Sequence, residues 1–145
     1  MGDYRIQFVI DLLDCRIDPH EISRALAVTP DVARLKADRL GESGNFARHT
    51  AWHLYSKAAS YEAGEDEHIA FLKGLLRGKE EMLASLAQHC SPKITIIINN
   101  EDNSLSGVLI DKWIARLAAL MDCNIEIDVY RSIGPDEEWV DVSPG

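Results

Sequence analysis

Glu126, Asp128 and Tyr130 take alternate positions in the run IEIDVY, a spacing that puts two carboxyl groups and a phenol on one side of a strand. Ile125, Ile127 and Val129 fall on the other side. If helices cover the apolar side, the polar side belongs to an open sheet face, where Arg5, Gln7, His53 and Tyr55 from other strands would join it. Two neighbouring carboxyl groups can form part of a binding face, or raise one pKa so that the pair works as acid and base. Chemistry of the second kind needs a pocket that excludes water, which this pattern does not supply. The face formed by Arg5, His53, Tyr55, Glu126, Asp128 and Tyr130 is therefore read as a binding surface without catalytic residues. A solvated face laced by cross-strand ion pairs, such as Glu126 with Arg5, would use the same side chains.

Arg34, Lys36, Arg39 and Arg48 are the one basic concentration in an acidic chain. They sit in a stretch with turn signals at Gly41 and Gly44, and as a loop they could grip a phosphate or an acidic ligand. Asp31, Asp38 and Glu42 are interleaved with them, so pairing within the loop competes with that use. His20, His49, His53, His68 and His89 are scattered. Only His49 and His53 stand four apart, a spacing that holds a metal on a helix and not on the strand expected there, so no metal site is expected. His53 is read as a strand histidine bonded to a neighbour, and the other four as exposed. Cys15, Cys90 and Cys123 form no Cys-x-x-Cys pair and read as buried free thiols. No dinucleotide-binding glycine motif, P-loop, nucleophile elbow or zinc-protease motif occurs, and no cofactor is expected.

The elements that must position these residues follow from periodicity. Tyr4, Ile6, Phe8 and Ile10 alternate with polar residues over 4–11 and predict a half-buried strand. Asp18, Pro19 and Glu21 read as N-cap, first turn and capping acid of a short helix carrying Ile22 and Leu26, which Pro30 closes. Residues 31–49 read as a long loop. Residues 50–56 predict a strand with Trp52 and Leu54 on one side and His53 and Tyr55 on the other. Glu65, Asp66 and Glu67 open a helix through Ile69, Leu72 and Leu76 that Gly78 caps. A second helix over 79–89 turns Met82, Leu83 and Leu86 inward, and Pro92 closes it. The branched run at 93–99 predicts a central strand. Ile110, Trp113, Ile114, Leu117, Leu120 and Met121 share a helical face, and a last strand spans 123–130. Trp52 and Trp113 read as core aromatics.

The expected class is α/β (α+β), with two β-α-β halves around a helical connector and a four-stranded sheet carrying its helices mainly on one face. A ferredoxin-like arrangement is the leading expectation. One domain spans 1–133, and 134–145 reads as an acidic tail in which Trp139 and Val140 could dock.

The chain has 145 residues, 46% of them hydrophobic and 27% charged, which suits one folded core. Its net charge of −9 disfavours nucleic acid and anionic lipid, whose binding depends on Lys and Arg, and favours a basic partner. No run approaches the roughly 20 apolar residues of a membrane span. The start of the sequence carries no basic region ahead of an apolar stretch, so the expected location is the cytoplasm.

The sequence resembles the bacterial family called domain of unknown function 4279 over most of its length, residues 4–130. The resemblance is carried by the first strand with Asp18, Pro19, Leu26 and Pro30, and by the basic loop with Trp52 after it. Leu72, Leu75 and Leu76 extend it, as do Leu105 and Ser106 before the last helix and the closing Ile127, Asp128, Val129 and Tyr130. It implies fold and class, and transfers no catalytic residue. The expected function is a non-catalytic protein-binding module, of immunity type, that takes a basic protein partner. A small enzyme or ligand-binding domain on the polar sheet face and a structural homodimer are the alternatives.

Overall fold

Even-numbered positions of the first strand are Ile, Phe, Ile and Leu, and the computed structural model buries all four beneath helices. The structure describes residues 4–36, 49–100 and 107–130. The elements run β1 (Ile6–Leu13), α1 (Pro19–Leu26), β2 (Val32–Arg34), β3 (Ala51–Tyr55), α2 (Glu65–Leu76), α3 (Glu80–Ala87), β4 (Ser91–Asn99), α4 (Lys112–Met121) and β5 (Ile125–Tyr130). They form an α+β fold with one sheet in the order β2-β3-β1-β4-β5. β1 is antiparallel to both β3 and β4, β2 is antiparallel to β3, and β5 runs parallel to β4.

Register lines up Ile6, Phe8, Ile10 and Leu12 with Ile98, Ile96, Ile94 and Pro92 of β4, and Ile10 and Leu12 with Leu54 and Trp52 of β3. Apart from Pro92, these side chains share one core with Ile22 and Leu26 of α1, Leu72 and Leu76 of α2, Leu83 and Ala87 of α3, and Ile114 and Leu117 of α4. Full burial of each such side chain contributes roughly 1.5–3 kcal/mol, so this face holds the fold together. The Trp52 indole N–H donates to Ser23 Oγ at 3.0 Å, which satisfies its one polar group inside the core.

Local signals set the helix ends. Asp18 accepts from the His20 amide at 2.9 Å, Pro19 occupies the first turn, and Ala27 at φ 53° ends α1 before Pro30 is reached. Asp111 caps α4 in the same way through the Trp113 amide at 2.7 Å. Gly78 follows α2 at φ 75°, a conformation glycine adopts without penalty.

Several expectations are corrected. Among the described residues the sheet has five strands rather than four, because the stretch read as loop contains β2. Three residues are too few to show alternation, and β2 is held by its pairing and by Asp31, whose carboxylate accepts from the Tyr55 amide at 2.8 Å and Lys57 Nζ at 2.6 Å. The order does not reproduce a ferredoxin-like sheet. β4 and β5 are direct parallel neighbours across α4, while β1 and β3 are antiparallel, so the two halves differ. Pro92 lies inside the start of β4 rather than before it. Met82 is exposed because the buried stripe of α3 runs through Leu83, Ala84 and Ala87. Ile110 precedes the cap of α4 and Leu120 lies at the margin of its buried stripe, and both are exposed. Trp113 is half-buried, with its indole N–H on Glu80 at 3.2 Å. His68 is fully buried, not exposed. Cys15 is buried, but Cys90 and Cys123 are only half-buried. The 134–145 tail with Trp139 lies outside the described residues.

Candidate functional site

Odd-numbered positions of β1 point away from the helices, and Asp11 is among them. Its cross-strand neighbours are His53 on β3 and Lys93 on β4. Asp11 is only 9% exposed although none of the four described helices packs on this face. A buried carboxylate is costly unless hydrogen bonds compensate it. Asp11 has two. Its Oδ1 accepts from His53 Nδ1 at 2.5 Å, and its Oδ2 accepts from Thr95 Oγ1 at 2.7 Å. An ionised carboxylate can only accept, so Nδ1 carries the hydrogen of this bond.

Tyr55 stands two residues along β3 from His53, with ring centroids 6.3 Å apart. Partial burial, then the charges of Asp11 and Asp31, push its phenol above its ordinary value, opposed by Arg34. Tyr55 is thus a protonated donor at neutral pH. Lys93 donates to Glu126 at 2.9 Å, and that bond leads the effects that raise its pKa and keep it cationic. Val9, Asp11, Leu13, His53, Tyr55, Lys93, Thr95, Ile97 and Asp128 enclose a hollow of about 260 Å³. It presents an oriented imidazole, a phenol, an ammonium and a carboxylate on an apolar floor.

Of the residues expected from sequence, His53, Tyr55 and Asp128 come together in this hollow, and Glu126 reaches it by holding Lys93. Glu126 therefore pairs with Lys93, not Arg5. Arg5 pairs with Glu62 at 3.3 Å and lies six residues from Asp11, about 20 Å along an extended strand. Tyr130, at the end of β5, is exposed and does not line the hollow. Arg34 is close enough to act on the Tyr55 phenol, Lys36 is exposed, and Arg39 and Arg48 lie outside the described residues.

Asp11, Lys93 and Thr95 were missed. Each had a signal: an acid between Ile10 and Leu12, and a lysine and a threonine alternating with isoleucines, are polar groups in strands otherwise rich in branched residues. Two larger hollows, about 340 Å³ beside Trp113 and about 440 Å³ beside α1, have no buried polar group in their walls. Among the described residues no cluster of three or more His, Cys, Asp or Glu could hold a metal ion. No described helix is long and apolar enough to cross a membrane.

The sequence profile of the family described as Domain of unknown function (DUF4279) matches residues 4–132, nearly the whole chain. The chain belongs to this family. The match takes in the five described strands and every residue that lines the hollow. No curated protein and no solved structure matches the chain.

Proposed function

We propose that the protein is a non-catalytic binding module whose open sheet face receives a basic side chain of a protein partner. The observation that carries this reading is the hollow around Asp11. Its volume of about 260 Å³ is below the range of roughly 300–1,000 Å³ typical of small-molecule sites and suits a single inserted side chain. The Asp128 carboxylate in its wall, the Tyr55 ring and the net charge of −9 favour a guanidinium or ammonium group and would speed capture of a basic protein. An immunity-type protein of the bacterial cytoplasm that neutralises a basic toxin is the role this chemistry suits.

The test is retention of proteins from a lysate of the source organism on immobilised protein at low and high salt, beside a Glu126→Lys/Asp128→Lys bait. A basic protein held by the original chain, released by salt and not held by the variant is expected. Equal retention on both baits overturns the reading.

A second reading is supported by the Asp11–His53 hydrogen bond, which orients an imidazole as acid–base sites do. It requires a small ligand in the hollow. An NMR fragment screen whose hits move the His53 ring resonances in the original chain, and vanish in His53→Ala, would favour it. A third, a homodimer through β5, draws on Ile127 and Val129, which are 46% and 60% exposed on the apolar side of that edge strand. A single monomeric mass by light scattering at high concentration would rule it out.

A further inference from the structure

Far from the hollow in composition, Cys15 in the turn after β1 and Cys90 in the turn before β4 bring their sulfur atoms to 2.6 Å, closer than two unbonded sulfurs normally approach. Both are free thiols. The two turns are fastened together on the next residues: the Arg16 amide donates to the His89 carbonyl at 2.8 Å, and the Arg16 guanidinium to the Gln88 carbonyl at 3.0 Å. Thr50 Oγ1 donates to the Cys15 carbonyl at 3.0 Å and pins the first turn from the other side. A disulfide spans about 2.05 Å, so joining these sulfurs needs a movement of only about half an ångström.

We propose that Cys15 and Cys90 form a thiol-oxidation site, with half-buried Cys90 as the attacking sulfur and buried Cys15 as the resolving one, oxidised by a small disulfide of the glutathione type. The division of labour follows from the surroundings. The contact with Cys15, helped by the positive charge of Arg16, lowers the Cys90 pKa against the opposing effect of burial. That same contact, burial and the charge of Asp14 all raise the Cys15 pKa, and its thiol is turned to the Leu12 carbonyl at 3.6 Å. The thiolate is the nucleophile in disulfide exchange, and access to the oxidant matters as much. Cys90 has both advantages.

The Cys90 thiolate attacks one sulfur of oxidised glutathione; a mixed disulfide forms, the glutathione S–S bond breaks, and one glutathione leaves as thiolate and takes a proton from solvent. Cys15 then releases its proton to solvent and attacks the Cys90 sulfur. The Cys15–Cys90 bond forms and the second glutathione leaves and is protonated. Two protein thiols are oxidised, and one disulfide is reduced to two thiols.

Trypsin separates the three cysteines into peptides 6–16, 80–93 and 117–131, so the pairing can be read directly. The folded, full-length protein is incubated with oxidised glutathione, alkylated without reduction, digested and analysed by mass spectrometry. The expected result is a cross-linked 6–16/80–93 pair, a fall in free thiols from three to one, and recovery of all three with dithiothreitol. In Cys15→Ser, glutathione should remain on Cys90. A persistent glutathione adduct on Cys90 in the unaltered chain, a cross-link through Cys123 in place of Cys90 or Cys15, or three unreacted thiols would each overturn the proposal. The wild-type measurement decides the matter even if the variant folds poorly.

Discussion

The two faces of the central strands have the same backbone and opposite chemistry. On the helix side of β1, Ile6, Phe8, Ile10 and Leu12 vanish into one apolar core; on the other, Gln7, Val9, Asp11 and Leu13 meet Ser56, Tyr55, His53, Thr95 and Lys93. Val9 is 3% exposed yet lies outside that core, and Asp11 is nearly as hidden. None of the four described helices supplies the burial on this face. One face obtains stability from apolar area, and the other holds a polar constellation in place by cross-strand hydrogen bonds.

The sharpest way to break this comparison is to truncate matched positions. Phe8→Ala should cost about 3–5 kcal/mol of unfolding free energy, measured by urea denaturation, because it opens a cavity in the helix-covered core. If the loss is below about 1 kcal/mol, that core is not what stabilises the fold. On the open face, Asp11→Ala should cost about 1–3 kcal/mol and leave the Thr95 hydroxyl and His53 Nδ1 without their acceptor. The imidazole nitrogen resonances of His53 should shift with it; unchanged resonances would mean that Asp11 does not set the ring.

His68 gives a test by pH. Its Nδ1 meets Ser56 Oγ at 2.7 Å, the Tyr4 ring packs edge-on against it, and Nε2 is buried with no partner among the described residues. Burial lowers its pKa below the ordinary 6.5, against weaker opposing effects of Glu67 and Glu65. The unfolded chain then takes up a proton near pH 6.5 while the folded one resists it, so stability falls as the pH drops from about 6.5 toward the lower folded value. Urea midpoints measured from pH 7.5 to 5 should show a decline that is smaller in His68→Gln; identical declines would assign the effect to other groups. The smallest effect is expected for Lys93 and Glu126. Both ends are partly exposed, and a double-mutant cycle of Lys93→Ala with Glu126→Ala should give a coupling of at most about 1 kcal/mol.

How far the site could be read in advance depended on its distance from regular alternation. His53 and Tyr55 were legible because AWHLY alternates cleanly around Trp52 and Leu54. Asp128 followed from IEIDVY for the same reason. Asp11 and Thr95 lay in strands dense with branched residues, where one polar position carries little periodic weight. Arg5 had the right parity and the wrong end of the strand, which alternation cannot distinguish. The exposure of Ile127 and Val129 was hidden because apolar alternation says which side a residue faces, not whether a helix reaches far enough to cover it.

By itself the amino-acid order determined the local features: the cap at Asp18, the apolar stripes of α2 and α4, and the two-sided character of β3 and β5. These depend on spacings of a few residues, which the backbone geometry of helix and strand converts directly into faces. Only the tertiary structure decided what those faces meet. Asp11 binds His53 and Thr95 across separations of 42 and 84 residues, and Cys15 reaches Cys90 across 75. Such contacts depend on strand order and register, and these are set by how the apolar side of the whole sheet packs against its four described helices rather than by any short stretch of sequence.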